Sequence, residues 1–183
     1  MKIILSIISV LVISISSAVA QKWIPAYIIT SRGDTSHGEI KFNKKQIYNQ
    51  VVFKTEEGGV REFYPEQLRG YSFANRYFTR DEKVGNLVFI EKKVDGPVSL
   101  YKTNLLVKVA GTVPPATYKV NYFVRRDIGD YVPVTKKDFK EKMPEFFKDH
   151  KEIHDQIKNN KLKYKDIAEI INQYNSWYTS NNR

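Results

Sequence analysis

The chain has no cysteine among its 183 residues, and that absence closes several routes at once. No disulfide framework, Cys-ligated zinc, iron–sulfur centre or thiol nucleophile is available. The acylated cysteine that follows the apolar leader of a bacterial lipoprotein is missing too. Histidine is scarce, with three residues, and acid is in deficit, with 20 Asp and Glu against 30 Lys and Arg for a net charge of +10. Past residue 20 no apolar run approaches the length of about 20 residues that a membrane-spanning helix needs.

The one long apolar run opens the chain. Lys2 is a short positive region, Ile3 to Ser17 an apolar stretch, and Ala18-Val19-Ala20 the small-x-small pattern cut by a signal peptidase. Residues 1–20 are therefore expected to be a secretory signal, cleaved between Ala20 and Gln21. A retained anchor fits less well, because Ser6, Ser9, Ser14, Ser16 and Ser17 interrupt the run and no basic stop-transfer flank follows it. The expected location is the periplasm, the outer-membrane surface or the medium, with no transmembrane segment after cleavage. Without Lys2 the exported part carries +9 over 163 residues, enough chain for one domain with a real core.

The excess charge is spread along the sequence. The largest clusters are pairs (Lys44-Lys45, Lys92-Lys93, Arg125-Arg126, Lys136-Lys137), each near acids. A nucleic-acid surface concentrates its cations on one stripe, so no nucleic-acid partner is expected. The basic excess reads as a solvated surface, with an anionic glycan or lipid surface, or another envelope protein, as the partner class it would suit.

From Trp23 the chain is strand-like. Trp23, Ala26, Ile28 and Ile29 lead to the turn Ser31–Asp34, and Gly38–Phe42 alternates with period 2. Val51–Lys54 and Val60–Tyr64 flank the hairpin loop Glu56–Gly59. Pro65–Leu68 is expected to form one helical turn, ended by Gly70. Strands follow at Tyr71–Phe73 and Tyr77–Arg80. In Gly85–Val94, Leu87, Phe89 and Glu91 share one face and Val88 and Ile90 the other. Asp95-Gly96-Pro97 turns into Val98–Tyr101. Leu105–Ala110 either extends that strand or starts another, and Gly111–Ala116 is a loop. Tyr118–Val124 alternates cleanly, and Tyr131–Val134 closes the β-rich part.

At Thr135 the period becomes helical, with Thr135 and Asp138 spaced as a capping box. This helix is expected to break at Pro144. Asp149–Glu152 is a second box-like start, and Ile167, Ile170, Ile171, Tyr174, Trp177 and Tyr178 line one face of a last helix. The fold expected is α+β, a mostly antiparallel β-sheet or partial β-barrel over 21–134, followed by a C-terminal helical region over 135–183 packed on it as one domain.

Several of these segments are similar to a known pattern. Tyr27–Thr30, Gly33-Asp34-Thr35, Gly38-Glu39-Ile40, Val52-Phe53-Lys54 and Tyr64–Tyr71 form one set, and Gly96–Tyr101, Tyr164–Ile167 and Tyr174-Asn175 a second. Together they resemble a family of uncharacterised secreted and envelope proteins of Bacteroidota-type bacteria. The resemblance implies a β-rich exported domain with a helical tail. It implies no catalytic residue.

The candidate sites are few. His150 and His154 stand four apart, the spacing that zinc proteases use, but Lys151 occupies the place of the general-base Glu and no third ligand is evident. They are expected on a solvated helix face, with a metal site the weaker alternative. Arg32-Gly33-Asp34 spells an adhesion tripeptide, yet these are turn residues. His37 lies near Ser36 and Asp34, but neighbours in a strand face opposite ways, and there is no Gly-x-Ser-x-Gly elbow. No catalytic or cofactor-binding residue is assigned and no cofactor is expected. Of the many aromatics, mostly core in expectation, Tyr77, Phe78, Tyr101 and Tyr122 are those whose exposure would create a stacking surface. The short, charged strands and helical C-terminus argue against an outer-membrane barrel.

The expected role is a non-enzymatic binding or structural module of the bacterial cell envelope. The alternatives are a periplasmic hydrolase with acids scattered in sequence, and a protein that binds anionic glycan or lipid surfaces. When the full chain is expressed in a Gram-negative host, N-terminal sequencing should read from Gln21 and osmotic shock should release the protein. Full-length protein retained in the inner membrane would contradict the leader assignment.

Overall fold

The computed structural model describes residues 22–44, 46–81, 87–108 and 116–182. Residues 1–21, with the expected cleavage positions Ala18, Ala20 and Gln21, and most of the loop at 111–116, lie outside the described residues. Among those described, ten strands form one sheet: β1 (Trp23–Thr30), β2 (Thr35–Lys41), β3 (Val51–Thr55), β4 (Val60–Phe63), β5 (Leu68–Phe73), β6 (Arg76–Asp81), β7 (Val88–Val94), β8 (Val98–Lys108), β9 (Ala116–Arg126) and β10 (Val132–Val134). Their order is β10-β9-β8-β7-β6-β5-β1-β2-β3-β4, every neighbouring pair is antiparallel, and the two outer strands leave the sheet open. Helices α1 (Phe139–Phe146), α2 (Lys151–Lys158) and α3 (Ile167–Asn181) follow, the last entered through a 3-10 turn at Tyr164–Asp166. The fold is α+β.

Strand pleating decides which face is covered. Ile28, Ile40, Phe53, Tyr71, Phe73, Phe78 and Phe89 all point to one side, where the β2–β3 connection passes beneath them and inserts Ile47 and Tyr48. Phe53, Phe78 and Phe89 are fully buried, each burial contributing about 1.5–3 kcal/mol. Tyr71 stacks on Phe78 with centroids 4.5 Å apart, and its hydroxyl donates to the Ile47 carbonyl. Further along the same side, Val98, Leu100, Val124 and Val134 meet the helical stripe of Phe139, Met143, Phe147, Ile153, Ile157, Ile170, Ile171 and Tyr174. The opposite side has only a small cluster of Val88, Ile90 and Tyr101, with Phe123 and Tyr131 against it. One face is roofed and the other is largely open.

Two local expectations change, and one alternative left open in the sequence is decided. Pro65–Gln67 is a reverse turn, closed by the Gln67 amide donating to the Tyr64 carbonyl at 2.9 Å, and Leu68 already belongs to β5. A helix there would lift Leu68 out of the core in which it is fully buried. Pro144 lies inside α1 instead of ending it. The ring costs one amide hydrogen bond, but it sits near the last turn and is buried beside Met143 and Phe147, so packing outweighs the loss. Leu105–Lys108 continues β8, pairing with Ala116–Lys119 across a long hairpin.

One side chain of helix α3 reaches the backbone of β8. The Asn175 carbonyl oxygen accepts from the Val98 amide at 2.9 Å, and its NH2 donates to the Val98 carbonyl at 2.8 Å, a side chain imitating a paired strand. Gly96, at φ +146°, leaves the space this requires, since a Cβ there would come within 2.5 Å of the Asn175 amide nitrogen. Helices α1 and α2 are tied in separately. Arg126 at the end of β9 donates to both Asp149 oxygens at 2.8 and 3.1 Å and to the Phe146 carbonyl at 2.6 Å. It also donates to the Tyr174 hydroxyl, which in turn donates to Asp149. Asn175→Ala strands the two Val98 backbone groups and should lower unfolding free energy by about 1–3 kcal/mol in urea titrations. Gly96→Ala should destabilise as well, and combining the two should cost less than their sum because both act through one contact.

Candidate functional site

A concavity of about 790 Å3 lies on the open face of the sheet, at its N-terminal half. Its side chains come from alternate positions that pleating turns away from the core: Tyr27 on β1, His37 and Glu39 on β2, Lys54 on β3, and Ser72 on β5, with Glu56 and Asn75 at its margins. Tyr27 and His37 are directly paired across β1 and β2, with ring centroids 6.0 Å apart. Glu39 and Lys54 are also cross-strand partners and form an ion pair, while the Lys54 ammonium stands 5.0 Å from the centre of the Trp23 ring. Gly38 makes this packing possible, since a Cβ would come within 2.1 Å of the Lys54 carbonyl oxygen. The rim at β5–β6 is a two-residue turn with Ala74 at φ 47° and Asn75 at φ 58°. Ala in that region is strained by about 1–2 kcal/mol, and the turn sets Asn75 over the groove.

The same face continues as a row of tyrosines. Ser72 pairs with Tyr77, Tyr77 with Lys92, and Lys92 with Tyr101. The Lys92 ammonium lies 5.7 Å from the Tyr77 ring centre, and burial first, then the neighbouring Tyr27, raises the Tyr77 phenol. Of the four aromatics singled out in the sequence, Tyr77 and Tyr122 are half-buried, whereas Phe78 and Tyr101 are in the core. Tyr27, not among the four, is the ring that borders the groove; its place opposite His37 depends on strand register, which the sequence pattern alone does not reveal.

A buried acid lies elsewhere, on the roofed face. Glu91 is 1 % exposed and receives two bonds from Arg76, at 2.8 and 3.0 Å, one from Lys93 at 3.2 Å, and one from the Tyr48 hydroxyl at 3.3 Å. Burial pushes the Glu91 carboxyl up, but Arg76 and Lys93 outweigh it and hold the group below the usual glutamate range. Burial, reinforced by Glu91, pushes the Tyr48 phenol far up. Arg76 lies flat over Phe73 and Phe78, 5.1 and 4.9 Å from their centroids. Both carboxylate oxygens are taken up by these neighbours, and the cluster acts as a structural strut.

The two helix histidines are not a shared solvated face. His150 is the N-cap of α2, its Nδ1 accepting from the Ile153 amide at 3.3 Å. It is buried, with its ring 4.6 Å from that of Trp177. His154 lies one turn on, with Nδ1 2.9 Å from Asp155. The intended cap residue, Asp149, is drawn away by Arg126 and Tyr174, and the histidine takes over its role. Among the described residues no group of three His, Asp or Glu side chains is gathered as metal ligands would be. Arg32-Gly33-Asp34 forms the β1–β2 turn, with Gly33 at φ 103° and the Gly33 amide donating to the Thr30 carbonyl at 2.9 Å.

Arg76→Ala leaves Glu91 buried without its main partner and should cost about 3–5 kcal/mol. A carboxyl held low in the folded state stabilises fully above its unfolded value, about 4.3, and that stability is lost as pH falls through the folded value. Urea midpoints of the wild type should therefore drop on acidification below about pH 4.3, and Glu91→Gln should flatten that part of the profile. No protein-family model, no curated protein and no solved structure matches this chain.

Proposed function

We propose that the chain is an exported, non-enzymatic binding module of the bacterial cell envelope, and that it holds a glycan on the open face of its sheet. The observation that carries this reading is the makeup of the groove. Tyr27 and His37 contribute aromatic rings, while Ser72 and Asn75 contribute a hydroxyl and an amide, the mix of stacking surface and neutral hydrogen-bonding groups that a sugar needs. The one ion pair in the groove, Glu39–Lys54, neutralises itself. The leader at 1–20 supports the envelope location, and the net charge of +9 on the rest favours an acidic glycan through long-range attraction.

A second reading, a periplasmic hydrolase, draws on His37, Glu39 and Glu56 lining one groove. Against it, general acid–base work needs a base within hydrogen-bond reach of an orienting partner. Among the described residues the His37 side chain has no hydrogen-bond partner and lies against the Tyr27 ring, and Glu39 is committed to Lys54.

Titrating labelled exported protein with envelope glycan fragments should shift the amide resonances of Tyr27, His37 and Asn75, and the fragments should be recovered intact. Tyr27→Ala should weaken binding about tenfold, the loss of one stacking contact of about 1–3 kcal/mol. Fragment cleavage abolished by His37→Ala would replace this reading with the hydrolase.

A further inference from the structure

A second concavity, about 480 Å3, opens among the helices, far from the groove in strand order. Its floor is apolar: Phe139 from α1, Ile157 from α2, and Leu162 and Tyr164 from the α2–α3 connection. Phe139 and Tyr164 meet edge to face with centroids 6.2 Å apart. The rim is four lysines, Lys136 and Lys140 from one segment and Lys163 and Lys165 from the other. The volume lies within the roughly 300–1,000 Å3 typical of small-molecule sites.

Three other lysines of the helical region are matched with acids about one turn away: Lys142 with Asp138, Lys148 with Glu145, Lys151 with Asp155. The four rim lysines have no ion pair among the described residues. Asp138 is engaged by Lys142, and Asp166 by the Lys163 backbone amide at 3.0 Å. Segment 158–165 has four lysines and no acid. Four like charges around an apolar floor repel one another, and an anion placed between them removes that cost.

The floor narrows the ligand class. Apart from Asn160 and the Tyr164 hydroxyl it offers little to hydrogen-bond a buried hydroxyl or base edge, so a sugar or nucleotide would leave polar groups unpaired over Phe139 and Ile157. A hydrocarbon chain has none to satisfy. We propose that this pocket binds a single-chain anionic amphiphile, an acyl chain with a carboxylate or phosphate head, taken up as a monomer with its chain on the Phe139–Leu162 floor and its head among the four lysines. The site is independent of the glycan groove, and the two fail separately.

Calorimetric titration of the exported chain with dodecanoate and with dodecyl phosphate, each below its micelle concentration, should show saturable binding of one amphiphile per chain. Dodecyltrimethylammonium and inorganic phosphate should bind at least about tenfold more weakly, lacking the anionic head or the chain. Lys163→Glu with Lys165→Glu, at two exposed positions, should lower dodecanoate affinity about tenfold, while far-ultraviolet dichroism stays unchanged. Leu162→Gln should reduce the gain in affinity from decanoate to tetradecanoate. His37→Ala should leave amphiphile binding intact. Equal binding of the cationic amphiphile, indifference to the double charge reversal, or binding only to vesicles of anionic phospholipid would each overturn the proposal.

Discussion

The sheet depends on keeping one charge, Glu91, buried in its middle. In strand order this carboxylate lies between the aromatic cluster under β1–β7 and the aliphatic cluster under β8–β10. An unpaired carboxylate there would be prohibitively costly to desolvate. Arg76 answers it with a two-pronged contact, Lys93 with a second cation, and Tyr48 with a hydroxyl from the β2–β3 connection. That last bond matters most for shape. It pins the connection beneath the sheet, where Ile47 and Tyr48 complete the aromatic core. A hydrophobic residue in place of Glu91 could pack as well, but it would not fix where the connection runs.

At the other end a second cation does the equivalent job. Arg126 lies over the rings of Phe146 and Tyr174, 5.0 and 4.8 Å from their centroids, while its guanidinium gathers Asp149 and the Phe146 carbonyl. One side chain thereby joins the last long strand, the end of α1 and the middle of α3. With Asn175 clamped on Val98, the helices have a single seat on the sheet. Two consequences follow for binding surfaces. Because connection and helices both lie on one face, the other is left open to form the groove around Tyr27 and His37. Because α1 and the α2–α3 connection are held side by side, their lysines surround a common apolar floor.

Much of the fold was legible from local pattern. Period-2 alternation located nearly all the strands, and put Phe89 and Glu91 together on one face; the helical stripe from Ile167 to Tyr178 is the one that packs in α3. The exceptions share a cause. Pro65–Leu68 and Pro144 carry strong local signals, and in both cases burial of a neighbouring side chain, Leu68 or Met143, overrides them. His150 took the capping role because Asp149 had a better partner 23 residues away in Arg126, which no local window contains. Lys136 and Lys140 stand in a different stretch from Lys163 and Lys165; only the approach of 136–140 to 158–165 brings the four around one pocket.

By itself, then, the sequence determined the properties that depend on neighbours within a few residues: a leader-like start, a chemistry without thiols, strands and helices with their apolar faces, and turns at glycine and asparagine. The tertiary structure decided what depends on partners far apart in the chain. It settled which face of the sheet is roofed, that Glu91 is a strut with Arg76, that Tyr27 and His37 share a groove, and that four lysines stand unmatched around one pocket. The physical reason is the difference in range. Pleating and helical periodicity act over two to four residues, whereas ion pairing and burial act between whatever segments the folded chain brings together.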